Sequence, residues 1–124
     1  MLLVFLGAGG GGLARWGVHL ACVRLFGQGF PFGTVAVNIL GCLAVGIFTA
    51  TLVKDTAGQE NLRLGLVVGF LGGFTTFSAF GRETFLLSTD GHTAAALANV
   101  LVSVGVGLLA VWLGMRIGLR LVHA

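Results

Sequence analysis

Between residues 2 and 117 the chain is a series of four apolar runs, about 2–26, 32–53, 64–87 and 93–117, joined by short links. A helix needs roughly 20 apolar residues to cross the hydrocarbon core of a bilayer, and each run supplies them. Of the 124 residues, 56% are hydrophobic and 9% charged, and the mean hydropathy is +1.04. A soluble domain of that composition would lack a polar surface. The expected fold class is therefore an all-α membrane protein, with residues 1–124 forming a single domain of four transmembrane helices. The formal net charge of +3 is spread over scattered Arg and Lys. No basic patch is interleaved with aromatics, so the expected partner is membrane lipid and not nucleic acid. Cys22 and Cys42 fall inside apolar runs, where they read as small hydrophobes and not as a disulfide or metal pair.

The third run contains Gly69-Phe70-Leu71-Gly72-Gly73-Phe74-Thr75-Thr76-Phe77-Ser78-Ala79-Phe80. Paired glycines weaken a helix and adjacent threonines crowd χ1, so the expectation is a helix interrupted near mid-membrane. Freed N–H and C=O groups are tolerated there only when buried in protein or lining a site. If helix resumes near Thr76, Phe77 and Phe80 share a face at i and i+3, with Glu83 close to the same stripe.

Polar residues recur on the neighbouring runs. Thr34 and Asn38 stand four apart on the second, with Gly41 on the same face, and Asn99 and Ser103 repeat that spacing on the fourth. Gly105 and Gly107 follow, read as positions of close approach. Two polar strips on separate helices suggest a lined path. Small residues at i and i+4, namely Gly29/Gly33, Gly65/Gly69, Gly69/Gly73 and Gly114/Gly118, permit close packing of backbones. Four short helices enclose little volume, which favours a dimer.

Residues 7–12 spell Gly-x-Gly-x-x-Gly, but the first acidic residue is Asp55, too far on to hold a ribose, and no βαβ unit is expected. Arg15 lies inside the first run and must snorkel, pair or face a water-filled vestibule. The three histidines stand apart from one another, so none reads as a metal ligand. No nucleophile and base are paired, so an enzyme is not expected. The remaining inventory is hydroxyls, amides and phenyl edges. Amide N–H and hydroxyl O–H groups donate, and the rim of a phenyl ring is electropositive, which favours a small anion. Carbonyls turned out of the helix at 72–75 leave a cation such as sodium open as a second occupant.

The motifs Gly33-Thr34-x-x-Val37-Asn38-x-x-Gly41 and Gly69-Phe70-x-Gly72-Gly73-Phe74-Thr75-Thr76-Phe77-Ser78-x-Phe80, with the Asn99-x-x-x-Ser103 strip, resemble the CrcB/Fluc family of fluoride channels over essentially the whole chain. The resemblance implies a four-helix subunit with a broken third helix. It also implies an antiparallel dual-topology dimer in a bacterial or archaeal-type inner membrane, exporting fluoride by passive diffusion. Phe77 and Phe80 would then be ring-edge ligands and Asn38 the pore amide. Thr34, Ser78 and Ser103 would line a polar track with Glu83 near its end. The backbone carbonyls of Gly72 and Thr75 from both subunits would hold a structural sodium ion.

Two residues depart from that pattern: Ala79 stands where the family commonly has Thr, and Asn99 where many members carry a bulky or aromatic residue. With four spans, Lys54, Arg63, Arg116 and Arg120 fall on one side against Arg24 on the other, a bias toward cytoplasmic termini. A homodimer is the first expectation, and a heterodimer with an oppositely oriented homologue is the alternative. A small multidrug-type exporter would need a carboxylate in its first span. A non-conducting scaffold would tolerate substitution at Asn38, Phe77 and Phe80.

Overall fold

The structure, a computed structural model, describes residues 1–52 and 57–124, which are helical with no strand among them. Residue 53, expected to close the second run, and Lys54 and Asp55 of the polar link expected at 54–63 lie outside the described residues.

Helix α1 (Leu2–Phe26) stops at Gly27, whose φ of 76° only glycine adopts readily and whose N–H closes the last turn on the Val23 carbonyl. Helix α2 (Phe32–Thr51) opens behind Pro31, which accepts the Val35 N–H at 3.1 Å. Helix begins already in the expected polar link, with α3 (Ala57–Leu62), and enters the third run through a π-wound stretch, Arg63–Leu71, and the single turn α4 (Gly72–Phe74). Thr75 (φ −82°, ψ 159°) and Thr76 (φ −153°, ψ 116°) are extended, and α5 (Phe77–Thr89) resumes after them. The last run is α6 (Thr93–Leu101), a π-wound stretch Val102–Val106 and α7 (Gly107–His123). Arg63 grips Glu60 with two hydrogen bonds of 2.8 Å and holds its exposed carboxyl below the usual range.

Phe32–Thr51, Gly58–Thr89 and Thr93–His123 are long and apolar enough to cross a membrane. Helix α1 is 25 residues long, but Gly9, Gly10, Gly11, Gly12 and Arg15 dilute its apolarity. The buried apolar residues include Val35, Val37, Ala50, Leu71, Phe74, Ala96 and Ala110, whereas large residues such as Leu13, Phe85, Leu101 and Leu108 face outward. Small side chains inside and large apolar ones outside suit a bundle whose solvent is lipid.

Close backbone approach explains the interior. A Cβ on Gly114 would strike the Leu43 carbonyl of α2, so α2 and α7 meet main chain to main chain. The stretch around Gly69 and Gly73 meets α1 in the same way, at Gly7 and Ala8. Two glycines read as contact positions are not: Gly29 and Gly105 have nothing within 4 Å of where a Cβ would stand. Gly29 belongs to the α1–α2 link and Gly105 turns outward, so the presence of glycine alone did not identify the buried face.

Candidate functional site

The glycine pair and the adjacent threonines were both expected to weaken the helix; Gly72 and Gly73 are helical and the extended residues are Thr75 and Thr76. The reason lies on another helix. Asn38 of α2 donates from Nδ2 to the Thr76 carbonyl at 3.0 Å and accepts the Thr76 N–H on Oδ1 at 2.8 Å. One side-chain amide thus satisfies a whole peptide group, and the pairing fixes which amide atom is oxygen. In a continuous helix that N–H would go to the Gly72 carbonyl. The hydroxyl of Thr76 accepts the Ala79 N–H at 3.2 Å, capping α5, and Thr75 donates its hydroxyl to the Leu71 carbonyl at 2.9 Å. Gly41, one turn beyond Asn38, leaves room for the Thr75 methyl, which a Cβ there would strike.

Two cavities flank these residues, and Thr76 lines both. The first, about 430 Å³, is lined by Asn38, Thr75, Thr76, Phe77, Phe80 and Ser103 among others, with Gly72 and Leu71 at its edge. No carboxylate or guanidinium lines it among the described residues. The Phe77 and Phe80 rings stand 5.5 Å apart, tilted by 42°, and Phe77 is 83% exposed, so one wall of this cavity is open in the single chain. Both π-wound stretches contribute, through Val67 and Leu71 on one side and Ser103 and Val104 on the other. Such widened turns are rare and are found often at functional sites.

The second cavity, about 520 Å³, holds Thr34, Ser78 and Glu83 with Arg15, His19 and Arg82. Thr34 is 5% exposed and donates to Glu83 Oε1 at 2.9 Å, while Glu83 Oε2 is buried without a partner among the described residues. Arg15 is half-buried and donates to the Thr75 carbonyl at 3.3 Å, so it pairs with the extended backbone from the vestibule side. The site residues read from the sequence therefore divide: Asn38, Phe77, Phe80, Ser103, Gly72 and Thr75 meet at one cavity, and Thr34, Ser78 and Glu83 at the other.

A relay absent from the sequence reading links α5 to α6. Ser103 donates to Asn99 Oδ1 at 3.3 Å, Asn99 Nδ2 donates to Thr84 at 2.8 Å, and Thr84 donates to the Phe80 carbonyl at 2.7 Å. Asn99 is 0% exposed. Its role is to join the helices and orient the Ser103 hydroxyl, not to face a path. The only signal for Thr84 was its place four residues beyond Phe80.

A family profile described as "CrcB-like protein, Camphor Resistance (CrcB)" matches residues 2–115. The chain belongs to the CrcB family. Among its relatives, "Fluoride-specific ion channel FluC" of Coxiella burnetii (strain Dugway 5J108-111) is 47% identical over 122 residues, covering 98% of both chains. The protein of the same description from Pelobacter propionicus is 46% identical over 114 residues, 92% of this chain and 88% of that one. That from Solibacter usitatus is 44% identical over 119 residues, 96% and 98%. These CrcB relatives are named as ion channels, not enzymes. In this member of the family, Thr76, whose peptide Asn38 holds, lines both cavities.

Proposed function

We propose that this chain is a fluoride-selective channel that lets cytoplasmic fluoride leave down its gradient across a bacterial or archaeal-type inner membrane. The observation that carries the reading is the cavity itself, in which phenyl rims, an amide and a hydroxyl converge without a carboxylate. Relatives named as fluoride-specific channels over nearly their full length support it. Fluoride accepts hydrogen bonds strongly and is small, so it can exchange hydration for weak, closely spaced donors. Asn38 uses one N–H on Thr76 and has a second to offer, and Ser103 can turn its hydroxyl from Asn99 to an anion. Arg15 and Arg82 raise the anion concentration in the outer cavity, and Thr34, Ser78 and Glu83 shape the way past Thr76.

In this reading all four apolar runs span the membrane, with residues 1–124 as one domain, and the third helix is broken at Thr75–Thr76. The functional unit is an antiparallel dual-topology dimer, because the exposed Phe77 and the open wall leave each cavity needing a second subunit. A homodimer is the simpler assembly; an oppositely oriented homologue is the alternative that the Lys and Arg bias favours. A structural sodium ion fits the donor set at the dimer centre. The Thr75 carbonyl points off the helix, the Gly72 carbonyl has lost its usual N–H donor to Asn38, and both are hard oxygens. Arg15 shares the Thr75 carbonyl and would have to yield part of it. The ion would hold the broken backbones of the two subunits together.

Growth tests the proposal. A bacterium stripped of its own fluoride exporters and carrying this chain is expected to grow in millimolar fluoride, and the same strain carrying Phe80→Ile is not. Growth no better than with an empty vector, with the protein present in the membrane, contradicts it.

A further inference from the structure

The end of the last helix carries a feature that anion conduction does not use. Trp112, Arg116 and Arg120 follow at four-residue intervals on α7 and, with Leu113 and Ile117, line a cleft of about 340 Å³. The Arg116 guanidinium lies 5.3 Å from the centre of the Trp112 ring. All five residues are exposed, while Gly114 and Gly118 carry the contact with α2 on the opposite side of the helix. Neither arginine has a carboxylate or hydrogen-bond partner among the described residues. A position in the last turn of a helix suits Arg120, beside the negative end of the helix dipole. It does not account for Arg116, two turns from the end.

Length places the cleft. The run Thr93–His123 is 31 residues, and at about 1.5 Å per residue roughly its first 20 cross a hydrocarbon core of about 30 Å. Trp112 then falls at the boundary, where tryptophan is favoured, and the two guanidiniums fall at headgroup level. Two planar guanidiniums one turn apart, without a carboxylate partner among the described residues, match the oxygens of a phosphodiester, and an apolar floor of Leu113 and Ile117 matches the first carbons of an acyl chain.

We infer that Trp112, Arg116 and Arg120 form a binding site for the headgroup of an anionic phospholipid. The inference needs only that the last run lies in a bilayer and does not depend on which ion the chain conducts. The lipid seats α7 at a fixed depth, and through α7 the helix α2 that carries Asn38.

The test uses the full chain with Trp16→Phe, so that Trp112 is the one fluorophore of its type. The protein is reconstituted in phosphatidylcholine bilayers, and its emission is quenched with brominated phosphatidylglycerol or brominated phosphatidylcholine. The expected result is an affinity for phosphatidylglycerol about tenfold above that for phosphatidylcholine, as two basic residues at a headgroup can supply. The preference should fall to near one in Arg116→Gln/Arg120→Gln and be reduced to an intermediate value in Arg116→Lys/Arg120→Lys, which keeps the charge and loses the planar fork. Millimolar inorganic phosphate should not displace the lipid. Equal quenching by both lipids, or a preference that survives the double glutamine variant, overturns the site. Displacement by inorganic phosphate also overturns it, showing a site for free anions.

Discussion

At the scale of single residues, the account rests on Asn38, which commits both atoms of its amide to the Thr76 peptide. Asn38→Asp keeps the acceptor, loses the donor and sets a carboxylate against a carbonyl and beside an anion path. Loss of a buried bond plus like-charge repulsion amounts to about 3 kcal/mol, so fluoride efflux is expected to slow about a hundredfold. Gel-filtration elution should be unchanged, and efflux within twofold of the parent would show that Asn38 is structural only. Asn99 offers a different test. Asn99→Ala orphans Ser103 and Thr84 and should destabilise the protein by about 1–3 kcal/mol. In a Ser103→Ala background the cost should shrink, because one orphaned partner is gone; equal losses in both backgrounds, read as thermal unfolding in detergent, would show that the relay is not coupled. Asn38 and Ser103 stood out by residue type and spacing, and Phe77 and Phe80 through the family resemblance; all four line one cavity. The partner of Asn38 was not, since it lies 38 positions away and depends on how two helices meet.

Among the elements, the extended pair at Thr75 and Thr76 shows that, of the two helix-weakening features expected there, the threonines mark where helix stops and the glycines do not. Helix propensity is local and small, about 1 kcal/mol for glycine, and packing against α1 holds Gly73 helical. A bidentate amide and a capping hydroxyl, both acting on Thr76, outweigh it two residues later. The same contrast separates glycines that pack from those that do not. Gly114→Val drives a side chain into the Leu43 carbonyl and should cost about 1–3 kcal/mol or abolish folding. Gly105→Ala, in a helical stretch with open space around it, should be neutral or stabilising by up to about 1 kcal/mol. Comparable melting temperatures for the two variants would contradict the close packing of α2 on α7. The π-wound stretches left no trace in the apolar periodicity, because one extra residue per turn is absorbed without changing which residue types face out.

For the whole molecule, the apolar runs and the outward-facing large side chains agree on a lipid environment, and that much follows from composition. The first run is the exception. Helix α1 is as long as a span, but its many glycines lower its apolarity, and two of them, Gly7 and Gly11, serve close contact with the third run. Partner number is not written in one chain's pattern; what points beyond the single chain is a cavity with one wall missing and an exposed phenylalanine where that wall should be. The central claim is that this chain by itself builds an anion path selective for fluoride. The measurement that bears on it most directly is efflux from liposomes holding only the purified protein, read with a fluoride electrode and repeated with chloride. Liposomes holding this protein should release fluoride rapidly and retain chloride; no fluoride release, or equal release of both ions, would show that no fluoride-selective path is built by this chain.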